Sequence, residues 1–266
     1  MRVMMLLKSD AQTEAGVPPS EELITAMGNY TEQLAKAGVL AGGEALQPSS
    51  KGAKVRITKG KTTVIDGPFA EAKEVIAGYL MLDTQSLAEA IDWAKRMPIG
   101  DWVTADDHVE LRPLYEPEDF AVEASGETAQ PEARADGGPE KGRRWVHLLM
   151  ADKNTEAAMP PNPKLVQEMG ALMQEMAEQG VLITGDGLKP TSQSARVHIS
   201  ADKKIHVVDG PFTETKEIVA GFTVFRAKSK AEAIEWARRC LQIHMDGTGI
   251  ETGEIEVLPV AETGQR

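Results

Sequence analysis

Apolar residues along the chain fall into runs of two kinds. Val3 to Leu7 is a short continuous stretch stopped by Lys8-Ser9-Asp10, the pattern of a buried strand. Pro18-Pro19-Ser20 followed by Glu21-Glu22 marks a helix start, with a serine N-cap and acids in the first turn. That helix runs to about Ala37, where Gly38 supplies the left-handed C-cap. Strands are predicted at Val39 to Leu46, Lys54 to Thr58 and Thr62 to Ile65, the last two joined by a Lys59-Gly60-Lys61 turn. Val75 to Asp83 reads as a longer strand containing Gly78. Ser86 to Arg96 reads as a second helix with Leu87, Ala90, Ile91 and Ala94 on one side, and Val109 to Pro113 closes the unit.

The same series then begins again. Arg2 to Leu7 aligns with Arg144 to Leu149, Ala37-Gly38-Val39-Leu40 with Gln179-Gly180-Val181-Leu182, and Leu46-Gln47-Pro48 with Leu188-Lys189-Pro190. The tetrapeptide Asp66-Gly67-Pro68-Phe69 returns as Asp209-Gly210-Pro211-Phe212, and Glu89-Ala90-Ile91 with Trp93-Ala94 returns as Glu232-Ala233-Ile234 with Trp236-Ala237. The spacing grows by one residue between Thr58 and Val64, where a hairpin turn absorbs it. The chain is a tandem duplication.

Each copy reads β-α-β-β-(β)-α-β, an α+β, ferredoxin-like pattern with helices on one face of an antiparallel sheet. The open sheet face needs a cover, and the other copy supplies it. The expected architecture is two βαββαβ repeats packed sheet to sheet as an intramolecular pseudo-dimer, a dimeric α+β barrel. The expected boundaries are 1–115 for the first repeat, 116–142 for a linker and 143–262 for the second. The linker is rich in Glu, Ala, Gly and Pro and nearly lacks apolar residues, so it cannot bury enough surface to offset its ordering entropy.

Composition narrows the function classes. A net charge of −12 over 266 residues, with 29 basic and 41 acidic, argues against nucleic acid and anionic lipid as partners. Half of that excess sits in the linker, which reads as an acidic spacer. Cys240 is the single cysteine, which excludes an internal disulfide and a Cys-cluster metal site. The first apolar run is too short for a signal h-region, and no run of about 20 apolar residues exists to span a bilayer. A cytoplasmic protein is the expectation.

The ordered motifs carry a resemblance. Asp-Gly-Pro-Phe, a following Glu-x-Lys-Glu, an apolar-Ala-Gly-aromatic strand, Ala37-Gly38-Val39-Leu40, Glu-Ala-Ile-x-Trp-Ala and Val109 to Pro113 together resemble the DGPF group of YCII-related domain proteins. The resemblance spans both copies and implies the dimeric α+β barrel. It implies no established reaction, since fold alone does not supply one. Some YCII relatives have a proposed acid–base site on a histidine of the first helix; that position is Met27 in copy one and Met169 in copy two, and a thioether transfers no proton. The group is also associated with extracytoplasmic-function sigma factor systems.

Candidate chemistry rests on few residues. In each tetrapeptide the glycine permits an unusual backbone, the proline fixes φ and the phenylalanine can pin the turn, so a purely structural turn is one account. The functional account places Asp66 and Asp209 in a cleft, with Lys73 or Lys216 as cationic partner, to bind a polar ligand or move a proton. His147 replaces Met5 of copy one on the first strand, either as a pocket imidazole or as a satisfied core histidine. His198 and His206 flank a hairpin and could begin a zinc or copper site, but no third ligand is evident, and no metal or cofactor is expected. His108 and His244 fall in late segments that read as turn-rich. Met169, Met173 and Met176 are helix core, and Cys240 a small buried hydrophobe. Three functions follow: binding of a small polar molecule in a barrel pocket, an enzyme using Asp66 and Asp209 for proton transfer or isomerisation, or a protein-interaction module. Further self-association of the pseudo-dimer is left open.

Overall fold

A computed structural model describes residues 1–69, 75–98, 108–119, 138–159, 162–200, 204–212 and 218–262. Copy one runs β1 (Arg2–Lys8), α1 (Ala11–Glu14), α2 (Glu21–Lys36), β2 (Leu40–Ala45), β3 (Ala53–Thr58), β4 (Lys61–Asp66), β5 (Ile76–Asp83), α3 (Leu87–Ala94) and β6 (His108–Pro113). Copy two repeats it as β7 (Arg143–Met150), α4 (Lys153–Glu156), α5 (Pro163–Glu178), β8 (Leu182–Gly187), β9 (Ala195–Ile199), β10 (Ile205–Asp209), β11 (Val219–Ala227), α6 (Lys230–Thr248) and β12 (Thr252–Pro259). Local chemistry sets the helix ends. Ser20 accepts the Leu23 N–H, Asn162 accepts the Lys164 N–H beside Pro163, and Gly38 and Gly180 close the long helices at φ 71° and 66°.

Two six-stranded antiparallel sheets result, ordered β10-β9-β6-β1-β5-β2 and β4-β3-β12-β7-β11-β8. The α+β barrel of two ferredoxin-like repeats is therefore present, with one feature that linear reading did not foresee. The hairpin β3–β4 of copy one pairs with β12 of copy two, Val55 opposite Ile255. Reciprocally, β9–β10 of copy two pairs with β6 of copy one, Val197 opposite Val109. The repeats exchange hairpins. Isolated bridges Leu46 to Val260 and Leu114 to Leu188 join the ends of the two sheets.

Period-two alternation sorts the strand side chains. Val3 and Met5 of β1 face α2 and α3, together with Tyr30, Leu34, Trp93 and the exchanged Val197 and Ile199. Met4 and Leu6 face inward, against Val146, Leu148, Phe222, Val224 and Leu258 of the other sheet. A third cluster packs α5 and α6 on copy two's sheet and takes in the exchanged Val55 and Ile57, both fully buried. Trp93 and Trp236 pack their helices onto the sheets, and the Tyr30 hydroxyl donates to the Trp93 carbonyl at 2.9 Å. Met176 is buried, and Met169 and Met173 pack against the same cluster.

Pseudo-symmetric ion pairs cross between the copies: Arg2 with Asp186 at 2.8 Å, and Arg144 with Glu44. Residues 120–137 of the linker lie outside the described residues. Its flanks are tied to the barrel, Glu116 to Arg2 at 2.9 Å, Asp119 to Lys189 at 2.7 Å and the Gly142 carbonyl to Arg226 at 2.9 Å. Among the described residues no helix is long and apolar enough to cross a membrane.

Candidate functional site

The two Asp-Gly-Pro-Phe turns are built alike, each around a cis Gly-Pro peptide. Glycine is required by space: an added Cβ would stand 1.8 Å from the Ser49 carbonyl oxygen at Gly67, and 1.7 Å from that of Thr191 at Gly210. The Phe69 N–H donates to Ser49 Oγ at 3.0 Å, and the Phe212 N–H to Thr191 Oγ1 at 3.2 Å. Ser49 and Thr191 in turn donate to Glu14 and Glu156, so the short helices α1 and α4 brace the turns.

The aspartates lie outside. The Asp66 side chain is three-quarters exposed and accepts from Lys230 Nζ at 2.6 Å, and Asp209 is exposed. Lys73 and Lys216 fall outside the described residues. The phenylalanines are what the turns deliver to the interior. Lys54 Nζ stands 4.6 Å over the Phe69 ring, and the Arg196 guanidinium 4.0 Å over that of Phe212.

Lys54 and Arg196 belong to twin ion clusters on the inward sheet faces, each assembled by hairpin exchange from both copies. In the first, Glu110 of β6 is bonded to Arg112 and Arg196, each at 3.0 Å, and Arg112 also donates to the Lys189 carbonyl at 2.8 Å. In the second, Lys54 meets Glu256 at 2.9 Å and Glu254 at 3.4 Å, while Arg56 pairs with Glu254 at 2.5 Å. Side-chain exposure rises along that cluster, 4% for Glu256, 18% for Lys54 and 47% for Arg56.

The twin carboxyls differ electrostatically. Burial pushes Glu110 upward, but Arg112, Lys8 and Arg196 more than offset it and hold the group below the ordinary glutamate value. Position 258 is leucine where copy one has Arg112, so Glu256 lacks that guanidinium. Burial therefore prevails over Lys54 and Lys8 and raises Glu256, and its Oε2 has no hydrogen-bond partner among the described residues. The positive charge of Lys8 acts to lower both carboxyls.

The histidines take three roles. His147 points to the helix layer, not inward: its Nε2–H donates to the Ala233 carbonyl at 2.9 Å, its ring lies 4.1 Å from Phe225, and burial lowers it to about 3. His244 sits in α6, correcting the turn-rich reading of its segment, and donates to Asp152 at 2.9 Å. Burial would raise the Asp152 carboxyl; His244 and the N–H groups of Asn154 and Thr155 instead hold it low. His108, His198 and His206 stand side by side on β6, β9 and β10, with ring centroids 4.9 and 6.3 Å apart. Cys240 is buried and its thiol is pushed up to about 12, leaving no thiolate nucleophile.

Sequence reasoning did not single out Glu110, Arg112, Arg196, Lys54 or Glu256. The available signal was a charge at alternate positions of a strand whose two faces both had to be covered, as in Val109-Glu110-Leu111-Arg112 and Ile255-Glu256-Val257.

Comparison with known proteins places the chain. The model of the YCII-related domain matches residues 1–116 and again 146–259. An uncharacterised protein of Rhizobium meliloti (strain 1021) is 33% identical over 97 residues, 36% of this chain and 78% of that protein, so the relative is about one repeat long. Two mutant chlorite dismutases from Candidatus Nitrospira defluvii superpose with TM-scores of 0.40 and 0.39 at 10% and 9% identity, each covering 98% of this chain and 90% of the other. The duplicated motifs and the two matches to the YCII-related domain model assign the chain to the YCII-related family, with the domain present twice.

Proposed function

We propose that this protein binds a small polar molecule at the ion cluster formed by Glu256, Lys54, Glu254 and Arg56. The observation that carries the reading is the Glu256 carboxyl, deeply buried with one oxygen unpartnered, in a cluster that reaches the surface through the half-exposed Arg56. A buried polar oxygen without a partner costs about 1–3 kcal/mol, which a ligand hydrogen bond would recover. The twin cluster makes the contrast, because Arg112 and Arg196 already pair with Glu110. The Asp-Gly-Pro-Phe turn then serves binding indirectly, by setting Phe69 under Lys54. Asp66, engaged by Lys230 at the surface, is not part of this cluster.

The test is a thermal-shift screen against a metabolite library, with Glu256→Gln and Leu258→Arg run beside the parent. A ligand at a hundredfold its dissociation constant adds roughly 2.7 kcal/mol. Hits should vanish in Leu258→Arg, which restores the copy-one guanidinium, and weaken in Glu256→Gln. Hits indifferent to both changes would move the binding site elsewhere.

A further inference from the structure

We propose that His108 and His198 form a two-imidazole site for a divalent transition-metal ion beside the Glu110–Arg112–Arg196 cluster. The two residues are direct cross-strand partners in the β6–β9 ladder, so hairpin exchange fixes them opposite one another on the inward face. One comes from each repeat, and no local sequence spacing brings them together.

The distance decides in favour of a shared ion. With a metal–nitrogen bond of about 2.1 Å, two imidazoles on a tetrahedral centre have ring centroids roughly 5 Å apart. The His108 and His198 rings are 4.9 Å apart and inclined at 36°. His206 stands 6.3 Å beyond His198 on β10, too far to share that ion without movement. No group of three or more His, Cys, Asp or Glu side chains clusters suitably among the described residues, so the proposed site is a two-imidazole chelate.

The duplication supplies a second argument. At the positions equivalent to His198 and His108, the other sheet has Arg56 and Glu254, joined as an ion pair at 2.5 Å. One sheet thus has two nitrogen donors where the other has opposite charges. Imidazole suits zinc, copper and nickel. Arg196, on the same face of β9, is paired with Glu110 at 3.0 Å.

The experiment titrates the untagged full chain with zinc chloride and nickel chloride by calorimetry, with His108→Ala, His198→Ala and His206→Ala in parallel. One ion per chain is expected. Its affinity should fall in His108→Ala and His198→Ala by more than the roughly tenfold that loss of an outer-shell partner costs, and hold in His206→Ala. A second measurement needs no variant: substoichiometric copper(II) should broaden the amide signals of β6 and β9 before any others. No binding to the parent chain, affinity in His108→Ala or His198→Ala unchanged from the parent, or broadening centred elsewhere would each overturn the site.

Discussion

Replacing His147 with methionine, the residue at the equivalent position of copy one, should flatten the acid sensitivity of this protein. The unfolded imidazole takes up a proton as pH falls past its ordinary 6.5, while the buried one stays neutral down to about 3. Every pH unit between those values favours the unfolded chain by about 1.4 kcal/mol. At about pH 4.5, two units below 6.5, His147 therefore lowers stability by about 3 kcal/mol relative to neutral pH. Carboxyls held low in the folded state, such as Glu110 and Asp152, stabilise above their unfolded values, and that contribution is lost as pH falls through their folded ones. Glu256, raised in the folded state, works in the opposite sense. All are common to both proteins and cancel in the difference. Met5 is fully buried on the same face of β1, so methionine suits the site, at a neutral-pH cost of about 1 kcal/mol for the lost bond to Ala233. Guanidinium unfolding midpoints at about pH 7 and about pH 4.5 measure the effect. Equal pH dependence in parent and His147→Met would refute the assignment of His147 as a buried neutral imidazole.

Three further outcomes follow from the packing. Gly67→Ala or Gly210→Ala drives a Cβ into the Ser49 or Thr191 carbonyl and should cost more than about 3 kcal/mol in a thermal melt, among the largest single-residue effects. A near-neutral result would show that the turn gives way easily. Residues 1–115 or 143–262 expressed alone should dimerise or aggregate in sedimentation, because each half leaves an inward sheet face and an exchanged hairpin uncovered; Val55 and Ile57 alone forfeit about 1.5–3 kcal/mol each. A monodisperse folded half-chain would contradict the exchange. Arg144→Ala, which removes a largely buried ion pair with Glu44 at the boundary between copies, should destabilise more than Lys36→Ala, whose exposed pair with Glu32 is worth at most about 1 kcal/mol.

Much of the fold was legible because duplication printed its signals twice. The Ser20 cap, the Gly38 and Gly180 stops and the alternation of the first strand each report a local requirement, and the structure satisfies them where they stand. The short helices α1 and α4 were not read, since four residues carry too little periodicity to register. The tetrapeptide stood out for the same reason that glycine and proline always do, but its prominence drew attention to the aspartate. The aspartate faces solvent, and the phenylalanine and glycine do the positioning.

The sequence by itself determined two α+β repeats, the segment between them, and the need for each sheet to find a cover. Those follow from side-chain period, caps and turns, which act over a few residues. Only the tertiary structure decided that the hairpins cross over, that Lys54 meets Glu256, that Arg196 meets Glu110, and that His108 meets His198. Each of those pairs joins one copy to the other across more than 80 residues, so its partners are set by strand register and sheet packing. The electrostatic difference between Glu110 and Glu256 has the same origin: Arg112 against Leu258 is plain in the sequence, but its consequence appears only once both strands are buried.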